Sequence, residues 1–73
     1  MTSAINLNDY RPTSEAYQAR TVELMESYAT VGLSQAGFYE LNRRVRKIAA
    51  AYGVTYHDAF EHFLEEAREN VSE

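Results

Sequence analysis

The stretch LSQAGFYELNRRVRKIAAAYG, residues 33–53, decides the fold of this chain. Its apolar side chains recur at spacings of three and four residues, which is the period of a helix with one buried face. This period is the clearest in the chain, and the residues that carry it are Phe38, Leu41, Val45, Ile48 and Tyr52. The pattern predicts a helix whose apolar side packs against the rest of the protein.

The residues at both ends of this stretch predict where the helix begins and ends. Ser34 can cap the start by accepting a hydrogen bond from a free backbone N–H. Leu33 and Phe38 have the spacing of a hydrophobic staple around it. Because Gly37 weakens a first helical turn, the alternative is a start at Gly37 with Glu40 as the capping residue. Gly53 predicts the end, since glycine adopts the left-handed conformation at little cost.

A second helix is predicted before this stretch and a third one after it. The earlier helix begins near Thr13 or Ser14 and ends at Gly32. The later helix has Thr55 as its cap, with Asp58 in a position like that of a capping box. The apolar stripe of the earlier helix is Tyr17, Val22, Leu24, Met25 and Tyr28, with Thr21 as its weak member. The stripe of the later helix is Tyr56, Ala59, Phe60, Phe63, Leu64, Ala67 and Val71.

The chain is therefore expected to be an all-α protein, a three-helix bundle with an extended N-terminal arm. Pro12 disfavours helix at the residue before it, so residues 1–12 form the arm and residues 13–73 the single helical domain. The predicted core consists of Leu24, Tyr28, Leu41, Val45, Ile48, Phe60, Phe63 and Leu64.

Composition narrows the classes of function. The 73 residues include no cysteine, which excludes disulfides, thiol nucleophiles and zinc sites built on thiolates. No secretory signal is visible, and the longest apolar run, residues 48–52, is far shorter than the ~20 residues of a membrane span. We expect a cytoplasmic protein that does not enter the membrane.

The charged residues are unevenly distributed, although the net charge is only −4. The middle helix has one acidic residue, Glu40, against four basic ones: Arg43, Arg44, Arg46 and Lys47. The last helix and the residues after it have one basic residue, Arg68, against six acidic ones: Asp58, Glu61, Glu65, Glu66, Glu69 and Glu73. Either these are solvated faces of neighbouring helices that attract each other, or the basic cluster is a docking patch for an acidic partner.

No catalytic or metal site can be recognised. His57 and His62 are separated by about 500° of helix rotation and cannot share a metal. Each has a glutamate four residues later, which predicts a simple histidine–carboxylate pair. A glycine-rich phosphate loop and a nucleophile elbow are both missing from the sequence. We expect no cofactor and no enzymatic activity.

Residues 44–63, RVRKIAAAYGVTYHDAFEHF, resemble a helix-turn-helix motif, with Gly53 in the turn and Ala59 in the second helix. The resemblance implies a DNA-binding regulator whose second helix reads base edges. The early part of that helix, however, presents Asp58 and Glu61 and none of the side chains that usually read bases. The same two helices are also similar to the helical half of a ribbon-helix-helix repressor, which needs a strand before the first helix.

By size and charge alone, the chain is similar to small phage-encoded inhibitors of host machinery, including host RNA polymerase. This similarity implies a small regulator that docks on a larger protein. We therefore expect a non-catalytic protein-binding module, with DNA-binding regulation as the alternative. The predicted partner-binding residues are Ile5, Leu7, Tyr10, Arg11, Arg43, Arg44, Arg46 and Lys47.

Overall fold

The computed structural model describes residues 10–71 and contains three α-helices. These are α1, Glu15–Thr30; α2, Gln35–Tyr52; and α3, Tyr56–Val71. The described residues include no strand, so the predicted all-α fold is confirmed. Most of the arm predicted at residues 1–12, including Ile5 and Leu7, lies outside the described residues.

The first helix begins after a turn and a serine cap. The Ser14 N–H donates to the Arg11 carbonyl oxygen at 2.9 Å, which closes a turn over residues 11–14. The Ser14 Oγ then accepts a hydrogen bond from the Tyr17 N–H at 3.1 Å. Of the two caps that the sequence allowed, Thr13 and Ser14, the structure uses Ser14 because its hydroxyl satisfies an N–H that the helix leaves free.

The other two helices begin with the same kind of cap. The Ser34 Oγ accepts from the Gly37 N–H at 3.2 Å, so α2 begins at Gln35 and not at Gly37. The Thr55 Oγ1 accepts from the Asp58 N–H at 3.1 Å at the start of α3. Both predicted caps are therefore confirmed.

Two glycines in the left-handed conformation end the first two helices. Gly32 has φ of 85° and Gly53 has φ of 70°. Only glycine adopts such angles without strain from a Cβ atom. These residues turn the chain so sharply that three residues, 53–55, separate α2 from α3.

Six of the eight predicted core residues are buried: Leu24, Leu41, Val45, Ile48, Phe63 and Leu64. The prediction was wrong for Tyr28, which is 39% exposed, and Phe60 is only partly buried. Tyr28 lies in the last turn of α1, where its ring lies at the surface against two other rings. The middle of α1 instead buries Thr21 and Met25 completely. The Thr21 hydroxyl donates to the Tyr17 carbonyl at 3.0 Å, so its burial leaves no polar group unpaired.

The helix pairs do not pack equally. The most extensive contacts join α1 to α3, and the smallest set joins α1 to α2. Within residues 10–71, no helix combines the length and the apolar character needed to cross a bilayer.

Two glycine substitutions should change the stability in opposite directions. Gly37→Ala should raise the free energy of unfolding by about 0.5–1 kcal/mol, because alanine is the better helix former. The added Cβ would make only ordinary contacts, with the Ser34 Oγ at 3.4 Å and with Leu33 at 3.5 Å. Gly53→Ala should lower the free energy of unfolding by about 1 kcal/mol, because its φ is positive. Urea denaturation followed by circular dichroism measures both changes in the free energy of unfolding. Changes of the same sign in the two variants would contradict the prediction.

Candidate functional site

The outer side of α2 carries three exposed cations, Arg43, Arg46 and Lys47, which we name the basic face. They lie opposite the apolar stripe because the helix period places them away from Val45 and Ile48. Together with Tyr39 and Asn42 they line an open depression. Within residues 10–71, none of the three cations forms a salt bridge. Their charge is therefore available to another molecule.

Arg44, the fourth cation of the predicted cluster, has a different environment. Its side chain is only 15% exposed, and its guanidinium carbon lies 4.4 Å from the centre of the Tyr17 ring. Its Nη1 donates to the Tyr17 carbonyl oxygen at 3.3 Å, and its Nε donates to Glu40 at 3.0 Å. Arg44 thus joins α2 to α1, since its Nε and Nη1 both donate to groups of the protein itself.

Glu40 connects Arg44 to a second arginine. The Arg20 Nη2, from α1, donates to the Glu40 Oε1 at 3.4 Å, and the Arg20 Nη1 donates to Glu23 at 3.0 Å. Burial by itself would raise the pKa of Glu40, but the hydrogen bonds from Arg20 and Arg44 outweigh it and lower that pKa. Glu40 is therefore a charged link between α1 and α2.

Two of the four site residues predicted at the N-terminal end, Tyr10 and Arg11, belong to the described part of the chain. Tyr10 is 57% exposed, and Arg11 is exposed as well. Tyr10 borders an open depression that also includes Arg43 and Lys47, so the structure brings it next to the basic face. The two remaining predicted residues, Ile5 and Leu7, precede the described part of the chain.

The acidic residues of α3 lie on a separate surface. Asp58, Glu61, Glu65, Glu66 and Glu69 are all exposed. Among the described residues, no salt bridge joins α2 to α3. The sequence left open whether these two helices attract each other through their outer charges, and the structure shows no direct pair between them.

The two histidines of α3, His57 and His62, are both exposed. His62 Nε2 lies 3.8 Å from the Glu66 carboxylate, which is one of the two histidine–carboxylate pairs that the sequence predicts. His57 has no such pair among the described residues. Residues 10–71 contain no group of three or more His, Asp or Glu side chains placed to hold a metal ion.

A feature that the sequence did not predict is a row of four aromatic rings from all three helices. We name it the aromatic row; in order, its members are Phe38, Tyr28, Phe60 and Tyr56. Successive ring centres lie 5.9, 5.8 and 5.8 Å apart. Two contacts are stacked and the central one is edge-to-face, which are the geometries that aromatic pairs prefer.

The aromatic row adjoins the basic face at its Tyr56 end. The Tyr56 hydroxyl donates to the Asn42 Oδ1, and Asn42 lines the same depression as Arg46. Burial raises the pKa of Tyr56, and the positive charge of Arg46 opposes that rise. An apolar surface and a cationic surface therefore meet at the first turn of α3. The surplus of tyrosine was visible in the sequence, but the pairing of these rings depends on how the helices pack.

Comparison with protein-family models, with curated protein sequences and with solved structures finds no match to the chain.

Alanine at Arg44 and alanine at Lys47 should have very different effects on stability. Arg44→Ala removes the contact with the Tyr17 ring and the bonds to Glu40, and should lower the free energy of unfolding by about 1–2 kcal/mol. Lys47→Ala is the matched control on the exposed side and should change it by less than about 0.5 kcal/mol. Chemical denaturation measures both values. A loss at Lys47 as large as that at Arg44 would contradict the distinction between them.

The Glu40 link should make stability depend on pH. A carboxylate whose pKa is lower in the folded state stabilises the fold above its unfolded pKa, near 4.5, and this stabilisation is lost as the pH falls through the folded pKa. The difference in free energy of unfolding between the wild type and Glu40→Gln should therefore be largest near neutral pH and shrink in acid. Glu65→Gln is the control, because it removes an exposed carboxylate of α3 that lies outside the contact with Arg20 and Arg44. A difference that is the same at neutral and acidic pH would refute the prediction.

Proposed function

We propose that this protein is a non-catalytic protein-binding module, a small regulator or inhibitor that docks on a larger protein machine through the basic face of α2. The observation that carries the proposal is that Arg43, Arg46 and Lys47 are exposed and form no salt bridge with the described part of the chain. In an acidic protein, three such cations on one helix face favour a carboxylate-rich partner.

The surroundings of the basic face support a protein partner. Tyr39 is 58% exposed beside Arg43 and Arg46. Tyrosine and arginine are enriched among the residues that dominate binding energy at protein interfaces. An arginine can also hold a carboxylate with two parallel hydrogen bonds, which gives the contact direction as well as strength.

The alternative is the helix-turn-helix interpretation, in which the early residues of α3 enter a DNA groove. Asp58 and Glu61 are exposed on this part of α3, and their carboxylates would be repelled by phosphate. The cations lie on the preceding helix instead. The distribution of charge therefore favours a protein over DNA, and a DNA-binding measurement belongs in the same experiment.

Bacterial RNA polymerase is the first partner to test, because of the similarity in size and charge to phage-encoded inhibitors of that enzyme. Such a regulator would act in the cytoplasm, where its target lies. We infer a partner surface rich in Asp and Glu, since this complements the basic face.

Charge reversal on the basic face should abolish partner binding without unfolding the protein. Immobilised wild-type protein is exposed to a bacterial lysate and, separately, to purified RNA polymerase, and the captured protein is measured against each variant. Arg43→Glu and Arg46→Glu should each weaken capture at least about tenfold, and their combination should eliminate it. Circular dichroism verifies the fold of every variant.

Arg68→Glu is the matched control, since it makes the same change in charge on α3. It should leave capture within about twofold of the wild type, as expected for a charge outside the basic face. Equal losses at Arg68 and Arg43, or capture that survives the double reversal, would refute the proposed docking face. Binding to random duplex DNA that weakens steeply with salt would favour the helix-turn-helix alternative instead.

A further inference from the structure

Three members of the aromatic row are partly exposed to solvent. Tyr28 and Phe38 are each 39% exposed, and Tyr56 is 36% exposed. A buried aromatic side chain removes about 150–250 Å² from water, so these three residues together leave on the order of 200 Å² of accessible surface in a strip along the row. The three exposed rings and the half-buried Phe60 between them form a continuous surface across three helices.

The size of this strip determines what can occupy it. A stable dimer of two folded chains buries about 800 Å² on each partner, several times the ring surface available here. One or two apolar side chains of a peptide segment bury an area that matches the strip. The aromatic row is therefore suited to a short segment of a partner and not to a second copy of this chain.

The charges beside the row determine which segment fits. On the α2 side, Asn42 joins the row to the depression that contains Arg43 and Arg46. A segment with an apolar side chain on the rings would place its neighbouring residues over these two cations. Carboxylates at those positions would gain charge-assisted hydrogen bonds that the protein itself does not supply.

We propose that the aromatic row and the basic face together bind an acidic protein segment that carries one or two apolar or aromatic side chains. The rings hold the apolar side chain, and Arg43 and Arg46 hold the carboxylates on its flank. This inference rests on the proposed function and adds the apolar anchor to it. A single-stranded nucleic acid could also stack on rings beside arginines, but Asp58 and Glu61 are exposed close in sequence to Tyr56 and Phe60. A nucleic acid carries a phosphate at every nucleotide, whereas a protein segment can confine its carboxylates to the flank next to Arg43 and Arg46, so these two acidic residues favour the protein segment.

The test is a selection of random 12-residue peptides, displayed as a library, on the immobilised full chain at near-physiological salt. The enriched sequences should combine Asp or Glu with at least one Leu, Phe, Trp or Tyr.

A synthetic peptide of the best sequence is then titrated against the wild type and two variants. Tyr28→Ser should weaken binding at least about fivefold, as expected for the loss of an interface anchor. Tyr52→Ser is the control, since Tyr52 is 55% exposed and is not a member of the row; it should change the affinity less than twofold.

A measurement on the wild type makes the test independent of how the variants fold. Addition of the peptide should shift the ring proton resonances of Tyr28, Phe38 and Tyr56 in NMR spectra. Acidic peptides that contain no apolar residue, or unchanged ring resonances, would overturn this inference and leave the proposed function standing. If no acidic sequence is enriched, both proposals fail. If a dT12 oligonucleotide displaces the peptide and shifts the same ring resonances, the row binds bases and the assignment to a protein segment is wrong.

Discussion

The contact of Arg44 with Tyr17 and Glu40 is the interaction that organises the outer side of this protein. It joins α1 to α2, the pair of helices with the smallest set of contacts. The Arg44 guanidinium lies over the Tyr17 ring and is bonded to Glu40, which also binds Arg20. These polar contacts add to the apolar core, to which all three helices contribute. Each carboxylate oxygen of Glu40 accepts a hydrogen bond from one of these two arginines.

The pairing of Glu40 with these two arginines affects the other charged residues of α2. Glu40 is the only carboxylate of the helix, and both of its oxygens accept from arginines that lie in the contact with α1. No salt bridge joins it to Arg43 or Lys47, although all three side chains line one depression. Within residues 10–71, the three cations of the basic face therefore remain without a salt bridge. One flank of α2 is thus joined to α1, and the other flank is exposed to solvent.

How far the sequence predicts this arrangement depends on how local each feature is. The caps at Ser34 and Thr55 and the ends at Gly32 and Gly53 could be predicted, because each depends on a few neighbouring residues. The burial of Ile48 and Phe63 follows from helical period. Tyr28 has the same period, yet it is exposed, because burial in the last turn of a helix depends on which partner side chains reach it. Arg44 could not be distinguished from Arg43 either, since its partner Tyr17 lies 27 residues earlier.

The aromatic row takes its rings from all three helices, so it exists only when the chain is folded. A molecule that binds the row binds the native state and has no equivalent site on the unfolded chain. Its binding therefore raises the free energy of unfolding. When the free concentration of the molecule is 100 times its dissociation constant, the increase is about 2.7 kcal/mol. For a domain of 73 residues, whose own stability is small, this is a large increment. The lifetime of the protein against proteolysis would then rise and fall with the concentration of its partner.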